Sequence, residues 1–128
     1  MDYAFKKEVS LSYEEAITRV TEELKKEGFG VLTEIDIKQT LKKKLDVEFS
    51  KYSILGACNP KFAHKALKAR EDIGLLLPCN IIVYENEQGK TIVSIFNPKV
   101  MLSLVSDPEI EDVAVQVAEK LERVLNNL

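Results

Sequence analysis

Cysteine and histidine are scarce in this chain of 128 residues, which contains two cysteines and one histidine. Two cysteines cannot build the disulfide framework of a small secreted domain. A chain of this length does not need one, because it can bury about two-thirds of its unfolded surface. We therefore expect a cytoplasmic protein in which Cys58 and Cys79 are free thiols.

The sequence also lacks a basic surplus and a long apolar run. Lysine and arginine total 18 against 21 acidic residues, a net charge of -3, which argues against nucleic-acid partners. The longest uncharged stretch, Ile73 to Tyr84, is shorter than the roughly 20 residues of a membrane helix, and Pro78 interrupts it. Residues 1–8 carry four charges and no apolar core, so we expect no signal peptide and no membrane association.

Helix start signals divide the chain into alternating elements. Ser12, Asp36, Asn59 and Asp107 are each placed as N-caps before a helical pattern, and Pro60 and Pro108 suit first helical positions. Gly28 is expected to end the first helix, and Gly89 to turn a hairpin. The predicted strands are Tyr3–Val9, Phe29–Ile35, Tyr52–Cys58, Asn80–Tyr84 and Thr91–Phe96.

The final helix is predicted to be about 30 Å long at ~1.5 Å per residue. Such a helix should lie across the sheet, or offer part of its apolar stripe to a partner subunit. With no linker in the chain, the element order predicts one α+β domain over residues 1–128, a single sheet covered by helices. The stripe consists of Ile110, Val113, Ala114, Val117, Ala118, Leu121, Val124 and Leu125.

Two similar segments of the sequence each consist of an apolar run followed by a Cys-Asn pair, at Cys58-Asn59 and at Cys79-Asn80. Cys58 directly precedes a helix N-terminus, where free amides and the helix dipole can lower the pKa of a thiol. The alternative is that both cysteines are small buried hydrophobes, the commoner fate of free cysteine. If Ile73 to Leu77 is extended, it returns the chain along the ~15 Å of the third helix and brings the two cysteines together.

Other chemistry finds little support in the residues. A metal site built on Cys58, Cys79 and His64 lacks a fourth ligand, and neighbouring lysines would repel a cation, so no metal or cofactor is expected. Those lysines favour an anion at the third helix instead, or a solvated face. Glu34 and Asp36 could form a pair of carboxylates for acid-base chemistry, but an outward strand residue and a helix cap explain them adequately. No nucleophile elbow or phosphate loop occurs, so we assign no catalytic residue.

Three segments resemble the domain of unknown function family 302. They are GFGVLTEIDIKQTLKKKL, ILGACNP and LLPCN. The resemblance spans nearly the whole chain and implies a curved, largely antiparallel sheet, similar to the TATA-binding-protein-like folds, packed on a long C-terminal helix. It also implies a homodimer, but not DNA binding, because shared architecture is not shared function. The residues that match the family's signature positions are Gly56, Cys58, Asn59, Pro60, Pro78, Cys79 and Asn80.

The hypothesis that we favour from the sequence is a non-catalytic domain that binds a small-molecule or anionic ligand, or a partner. One alternative is a thiol-based redox or thiol-transfer protein that uses Cys58, and another is a structural homodimer without a ligand site. The expected ligand-binding residues are Cys58, Asn59, Pro60, His64, Cys79 and Asn80.

Overall fold

The computed structural model describes residues 2–128, which form an alternating series of strands and helices. The strands are β1 (Ala4–Val9), β2 (Gly30–Asp36), β3 (Tyr52–Cys58), β4 (Cys79–Glu85) and β5 (Thr91–Phe96). The α-helices are α1 (Tyr13–Lys26), α2 (Ile37–Leu45), α3 (Pro60–Ala69) and α4 (Pro108–Asn126). Two 3-10 helices, Glu71–Leu76 and Pro98–Ser103, precede β4 and follow β5.

The five strands form one sheet in the order β1-β5-β4-β3-β2. Every neighbouring pair is antiparallel, so the predicted α+β class with an antiparallel sheet and a long C-terminal helix is confirmed. The two edge strands are β1 and β2. In β2 the pairing with β3 shifts register between Val31 and Thr33, which marks a bulge at the edge of the sheet.

Three of the four predicted N-cap residues form the expected side-chain hydrogen bond at the start of their helix. The side chains of Ser12, Asp36 and Asp107 accept hydrogen bonds from the amides of Glu15 (3.1 Å), Gln39 (3.0 Å) and Glu109 (2.9 Å) respectively. Each bond satisfies an amide that the first helical turn leaves without a partner. Gly28 after α1 and Gly89 in the hairpin both have positive φ, a backbone conformation that glycine tolerates best.

One predicted segment is wrong. The structure folds Glu71–Leu76 into a 3-10 helix, whereas the sequence favoured an extended Ile73 to Leu77. An apolar run this short does not distinguish strand from helix by periodicity. Here Ile73 is buried in the core while Leu75 is exposed, a pattern that the six-residue 3-10 helix produces.

One face of the sheet packs against α1 and α4. All eight residues of the predicted α4 stripe are buried within the chain, together with Val20 and Leu24 of α1. The stripe is therefore occupied by this chain's own core. Within residues 2–128, no helix has both the length and the apolarity needed to cross a bilayer.

Candidate functional site

The two cysteines meet at one end of the sheet. Because β4 runs antiparallel to β3, the end of β3 adjoins the start of β4, and Ala57 lies opposite Cys79. The 3-10 helix before β4 covers the return path, since six residues at ~2.0 Å each span about 12 Å. The predicted convergence of Cys58 and Cys79 is thus observed, although the connection is helical rather than extended.

A cavity of about 390 Å3 lies beside the two cysteines. It is bounded by β2, β3 and the start of β4 on one side, and by α3, α4 and both 3-10 helices on the other. Its volume falls in the range of roughly 300–1,000 Å3 that is typical of small-molecule sites. The lining residues are Phe29, Leu32, Thr33, Ala57, Cys58, Asn59, Phe62, Ala63, Ala66, Leu67, Ile73, Gly74, Leu77, Pro78, Cys79, Pro98, Met101, Val113 and Val117.

The space exists because small residues converge where larger ones would fill it. Ala57 on β3, Ala63 and Ala66 on α3, and Gly74 in the 3-10 helix all line the cavity. Protein cores normally interdigitate large and small side chains and leave few voids larger than a water molecule. Four small residues around one space leave it open, and β2 lines the same space at its bulge, with Leu32 and Thr33.

The chemistry of the lining is almost wholly apolar. Among residues 2–128, no carboxylate, amine or imidazole lines the cavity, and Cys58 and Cys79 are its only titratable groups. Burial raises the pKa of the Cys79 thiol from 9.0 to about 11, and the nearby Cys58 adds to the rise. Cys79 therefore stays protonated at neutral pH and acts as a small hydrophobe in the wall.

Asn59 corrects one expectation from the sequence. It precedes α3 in the N-cap position, but its side chain makes no cap hydrogen bond. Instead, its Nδ2 donates to the backbone carbonyl of Glu27, at 3.2 Å, and lies close to Gly28. Asn59 thus ties the start of α3 to the end of α1, while part of its side chain also lines the cavity.

The other predicted ligand residues lie outside the cavity. Pro60 occupies the first turn of α3, as expected, and is exposed. His64 is exposed on the outer side of α3. Asn80 lies opposite Gly56 in the sheet. Its side chain is exposed on the face opposite the one that carries Ala57 and Cys79. Of the six predicted residues, the structure brings Cys58, Asn59 and Cys79 to one site. The other three lie outside it.

Gly56 allows the backbone to close beside the cavity. A Cβ atom at this position would overlap Thr33 Oγ1 and would lie 2.9 Å from Pro78 Cγ. Both neighbours also line the cavity, and the Leu77–Pro78 peptide bond is cis. Glycine at position 56 therefore lets β2 and the segment leading into β4 approach β3 from two sides.

No metal centre is formed in the part of the chain that the structure describes, residues 2–128. No group of three or more His, Cys, Asp or Glu side chains there could hold a metal ion. Of the three residues that the sequence offered as metal ligands, Cys58 and Cys79 line the cavity and His64 lies outside it.

A second, polar cleft lies between α1, α2 and the start of β3, but its charges neutralise one another. Lys51 pairs with Glu14 at 3.1 Å. Lys42 pairs with Asp46 at 2.8 Å and with Glu48 at 3.0 Å. Since these charges are already paired within the chain, the cleft offers a ligand little beyond them.

Sequence reasoning missed most of the cavity wall. The wall depends on Phe62, Leu67, Met101 and Val117, which the sequence presents as ordinary core residues. The available signal was the pair Ala63 and Ala66 on the apolar face of α3. That they line the same space as Ala57 becomes visible only once the packing of α3 on the sheet is known.

Comparison with known proteins places the chain in a family. The sequence model of the family described as "Domain of unknown function DUF302" matches residues 5–128. The chain belongs to this family. A search of curated proteins found no match. Among solved structures, the chain is similar to the crystal structure of an uncharacterized conserved DUF302 protein from Bacillus stearothermophilus, with 30% sequence identity, 98% of each chain covered and a TM-score of 0.90.

The DUF302 match confirms the family and the fold that the three sequence segments indicated. The family is described as one of unknown function, and the similar protein of known structure is itself called uncharacterized. The function of this DUF302 protein therefore has to be argued from the cavity and from the exposed faces of the molecule.

Proposed function

We propose that this DUF302 protein is a non-catalytic binding domain for a small apolar ligand, which it holds in the cavity beside Cys58 and Cys79. The observation that carries the proposal is the lining: a space of about 390 Å3 with apolar walls and no charged side chain among its lining residues. An apolar ligand gains about 25 cal/mol for each Å2 of its surface that it buries.

The nature of the wall favours binding over catalysis. General acid-base chemistry needs a titratable group within hydrogen-bond reach of the reacting atoms. The thiol of Cys79 is protonated at neutral pH because burial raises its pKa to about 11. Asn59 directs its amide group toward Glu27 rather than toward a substrate.

A neutral fluorescent dye tests the proposal. N-phenyl-1-naphthylamine brightens in apolar surroundings, and we expect the protein to bind it with saturable, micromolar affinity. Ala63→Leu adds three carbon atoms to a residue that lines the cavity, and it should weaken binding at least tenfold. Ala69→Leu is the matched control, because Ala69 is also half-buried on α3 but does not line the cavity.

The outcomes separate clearly. Loss of dye binding in Ala63→Leu together with retention in Ala69→Leu supports the cavity as the site. Equal binding by both variants would place the dye elsewhere and contradict the proposal. Circular dichroism on both variants shows whether the fold is retained, and Ala66→Leu provides a second test from the buried side of α3.

The thiol-transfer alternative receives less support than ligand binding. Thiol exchange begins with attack by a thiolate, and the buried Cys79 is protonated at neutral pH, so this chemistry would rest on Cys58 alone as the attacking group. Titration of Cys58 with a thiol reagent, in a Cys79→Ala background, tests this alternative, and a pKa well below ~8.5 would support it.

Free thiols also fit the cytoplasmic location that we propose for this protein, which a fluorescent fusion can test.

A second candidate function is self-association through the face of the sheet opposite α1 and α4. Ile35, Ile54 and Ile82 lie side by side across β2, β3 and β4, and Tyr52 stacks on Tyr84 with ring centroids 5.4 Å apart. None of these side chains belongs to the buried core or packs against it.

The charges on the same face suit a second copy of this chain. Lys6 lies opposite Ser94, which lies opposite Ile82, and Glu8 lies opposite Ile92, which lies opposite Tyr84. These two rows of cross-strand neighbours end on β1 at a positive charge, Lys6, and a negative charge, Glu8. In a two-fold symmetric dimer, Lys6 of each copy can pair with Glu8 of the other. We propose a homodimer through this face, in place of the contact through α4 that the sequence suggested.

Sedimentation tests the dimer. We expect a dimer at about 50 µM, a monomer for Ile82→Glu, and an unchanged dimer for Leu104→Glu, since Leu104 is exposed away from the sheet. A wild-type protein that sediments as a monomer at this concentration would contradict the proposal.

A further inference from the structure

The sulfur-containing side chains of this protein gather in the cavity wall. Residues 2–128 contain two cysteines and one methionine, and Cys58, Cys79 and Met101 all line the cavity. Thiol and thioether sulfurs are soft and polarisable, and a thioether sulfur makes favourable contacts with an aromatic ring at a distance of about 5 Å. The wall therefore offers polarisable groups that a purely aliphatic wall would lack.

Two aromatic rings line the same space. Phe29 directly precedes β2, and Phe62 belongs to the first turn of α3. Lys120 Nζ lies over the Phe62 ring, 5.9 Å from its centroid, so the ammonium group occupies one face of that ring. Phe62 therefore meets the cavity with its other face or with its edge. Either side suits a second aromatic ring, in an offset-stacked or an edge-to-face arrangement.

Three of these five side chains belong to the buried part of the wall, whereas leucines form its exposed part. The exposed fractions of Phe29, Cys79 and Met101 are 3%, 7% and 4%. Those of Leu32 and Leu67, which line the same cavity, are 68% and 40%. A ligand in this cavity therefore meets a ring and two sulfur-containing side chains where it is most completely shielded from water.

Resting on the proposed function, we propose that the ligand is a neutral aromatic compound with two fused rings in its buried part. The ring system is neutral because no charged side chain lines the cavity, and a buried charge without a partner is costly. The volume sets the number of rings. An apolar cavity of ~150 Å3 takes up one benzene molecule, and 390 Å3 is about two and a half times as large.

The preference for an aromatic ligand comes from these five side chains, since the aliphatic remainder of the wall accepts any apolar group. One contact of a ligand ring with a phenylalanine ring or a methionine sulfur is worth about two- to tenfold in affinity. A saturated compound of the same skeleton gains at least as much from burial, but it makes neither contact. We therefore expect an aromatic compound to bind about fivefold more tightly than its saturated counterpart, against the order of their hydrophobicity.

Displacement of N-phenyl-1-naphthylamine by 2-naphthalenemethanol and by decahydro-2-naphthalenemethanol tests the preference. The two compounds share one carbon skeleton and one hydroxymethyl group, and they differ only in whether the rings are aromatic. The aromatic compound should displace the dye at about a fivefold lower concentration. Because the same dye is displaced in both titrations, its own aromatic rings do not affect the comparison.

Variants of the wall locate the source of the preference. Met101→Leu and Phe62→Leu each replace a lining side chain by an aliphatic one, and each should reduce the preference about two- to threefold. The double variant should bind both compounds about equally. Phe5→Leu is the matched control and should keep the preference, because Phe5 packs against the core from β1, the opposite edge strand, and does not line the cavity.

The failures of the two proposals are distinguishable. If the saturated compound displaces the dye from the wild-type protein as well as or better than the aromatic one, the aromatic ligand is excluded while the cavity remains a binding site. A full preference in the double variant would also overturn the inference, because the rings and sulfurs would not be its source. If the dye does not bind, or neither compound displaces it from the wild-type protein, the proposed function itself fails.

Discussion

The helix layer has two ends that differ in how they fill space. Where α1 meets the later turns of α4, Leu24 and Leu121 are fully buried, and the core is closed. Where α3 and the first 3-10 helix cover β3 and β4, Ala57 and Ala66 leave a cavity of about 390 Å3. Both ends rest on the same antiparallel sheet.

The comparison shows that small side chains contribute to the hollow, together with the bulge of β2 that lies at Leu32 in its wall. β3 and β4 pair without a register shift up to Ala57 and Cys79, at the edge of the cavity. An unfilled apolar space forfeits the dispersion contacts that a closed core makes. In this fold the closed end can supply the stability, and the hollow end is free to serve a ligand.

The largest difference should appear when one leucine from each end is truncated. Leu121→Ala removes a fully buried side chain from the closed end and should lower the free energy of unfolding by about 2–5 kcal/mol. Leu67→Ala at the cavity entrance should cost less than about 1 kcal/mol, because Leu67 is already 40% exposed. Urea denaturation of both variants measures the difference, and equal losses would mean that the two ends are equally closed.

The thiol of Cys79 tests whether the hollow end is dry. Its pKa is raised by burial from 9.0 to about 11 in the folded protein. The protonated thiol therefore contributes stability that is fully present below about pH 9 and is lost as the pH rises through about 11. At ~1.4 kcal/mol for each pKa unit, this loss is about 2–3 kcal/mol.

Comparison with Cys79→Ala isolates that contribution. Between about pH 9 and 11 the wild-type protein should lose about 2–3 kcal/mol more stability than the variant, because other alkaline groups titrate in both. Parallel pH profiles would show that water reaches the thiol, and a cavity filled with water would bind an apolar ligand less well.

The sequence predicted the frame of the molecule well and the cavity poorly. Ser12 and Asp107 mark helix starts through bonds to amides two or three residues away, so such signals are readable from the chain. The cavity arises where Ala57 of β3 and Ala66 of α3 line the same space, a relation that depends on tertiary packing. Asn59 occupies the N-cap position without a cap bond for a related reason, because its Nδ2 donates to the carbonyl of Glu27, a partner 32 residues away in the chain.

Gly56 should be the most sensitive glycine near the cavity. In Gly56→Ala the new methyl would meet Thr33 Oγ1 and the rigid ring of Pro78, at a cost of about 1–3 kcal/mol. Gly30→Ala, in the neighbouring strand, is the control, because nothing lies within 4 Å of its added Cβ and the substitution should be neutral or slightly stabilising. Thr33→Ala should recover part of the loss in a double variant.

The smallest effect should come from filling the hollow. Ala66→Leu adds a side chain to the cavity wall and should change the free energy of unfolding by less than about 1 kcal/mol, because the space accepts it. Ala16→Leu adds the same atoms to a fully buried position on α1 and should cost about 1–3 kcal/mol by overpacking. Thermal or urea unfolding of the pair decides between the two ends. Equal destabilisation would mean that the space under α3 is not available to added atoms, and therefore not to a ligand.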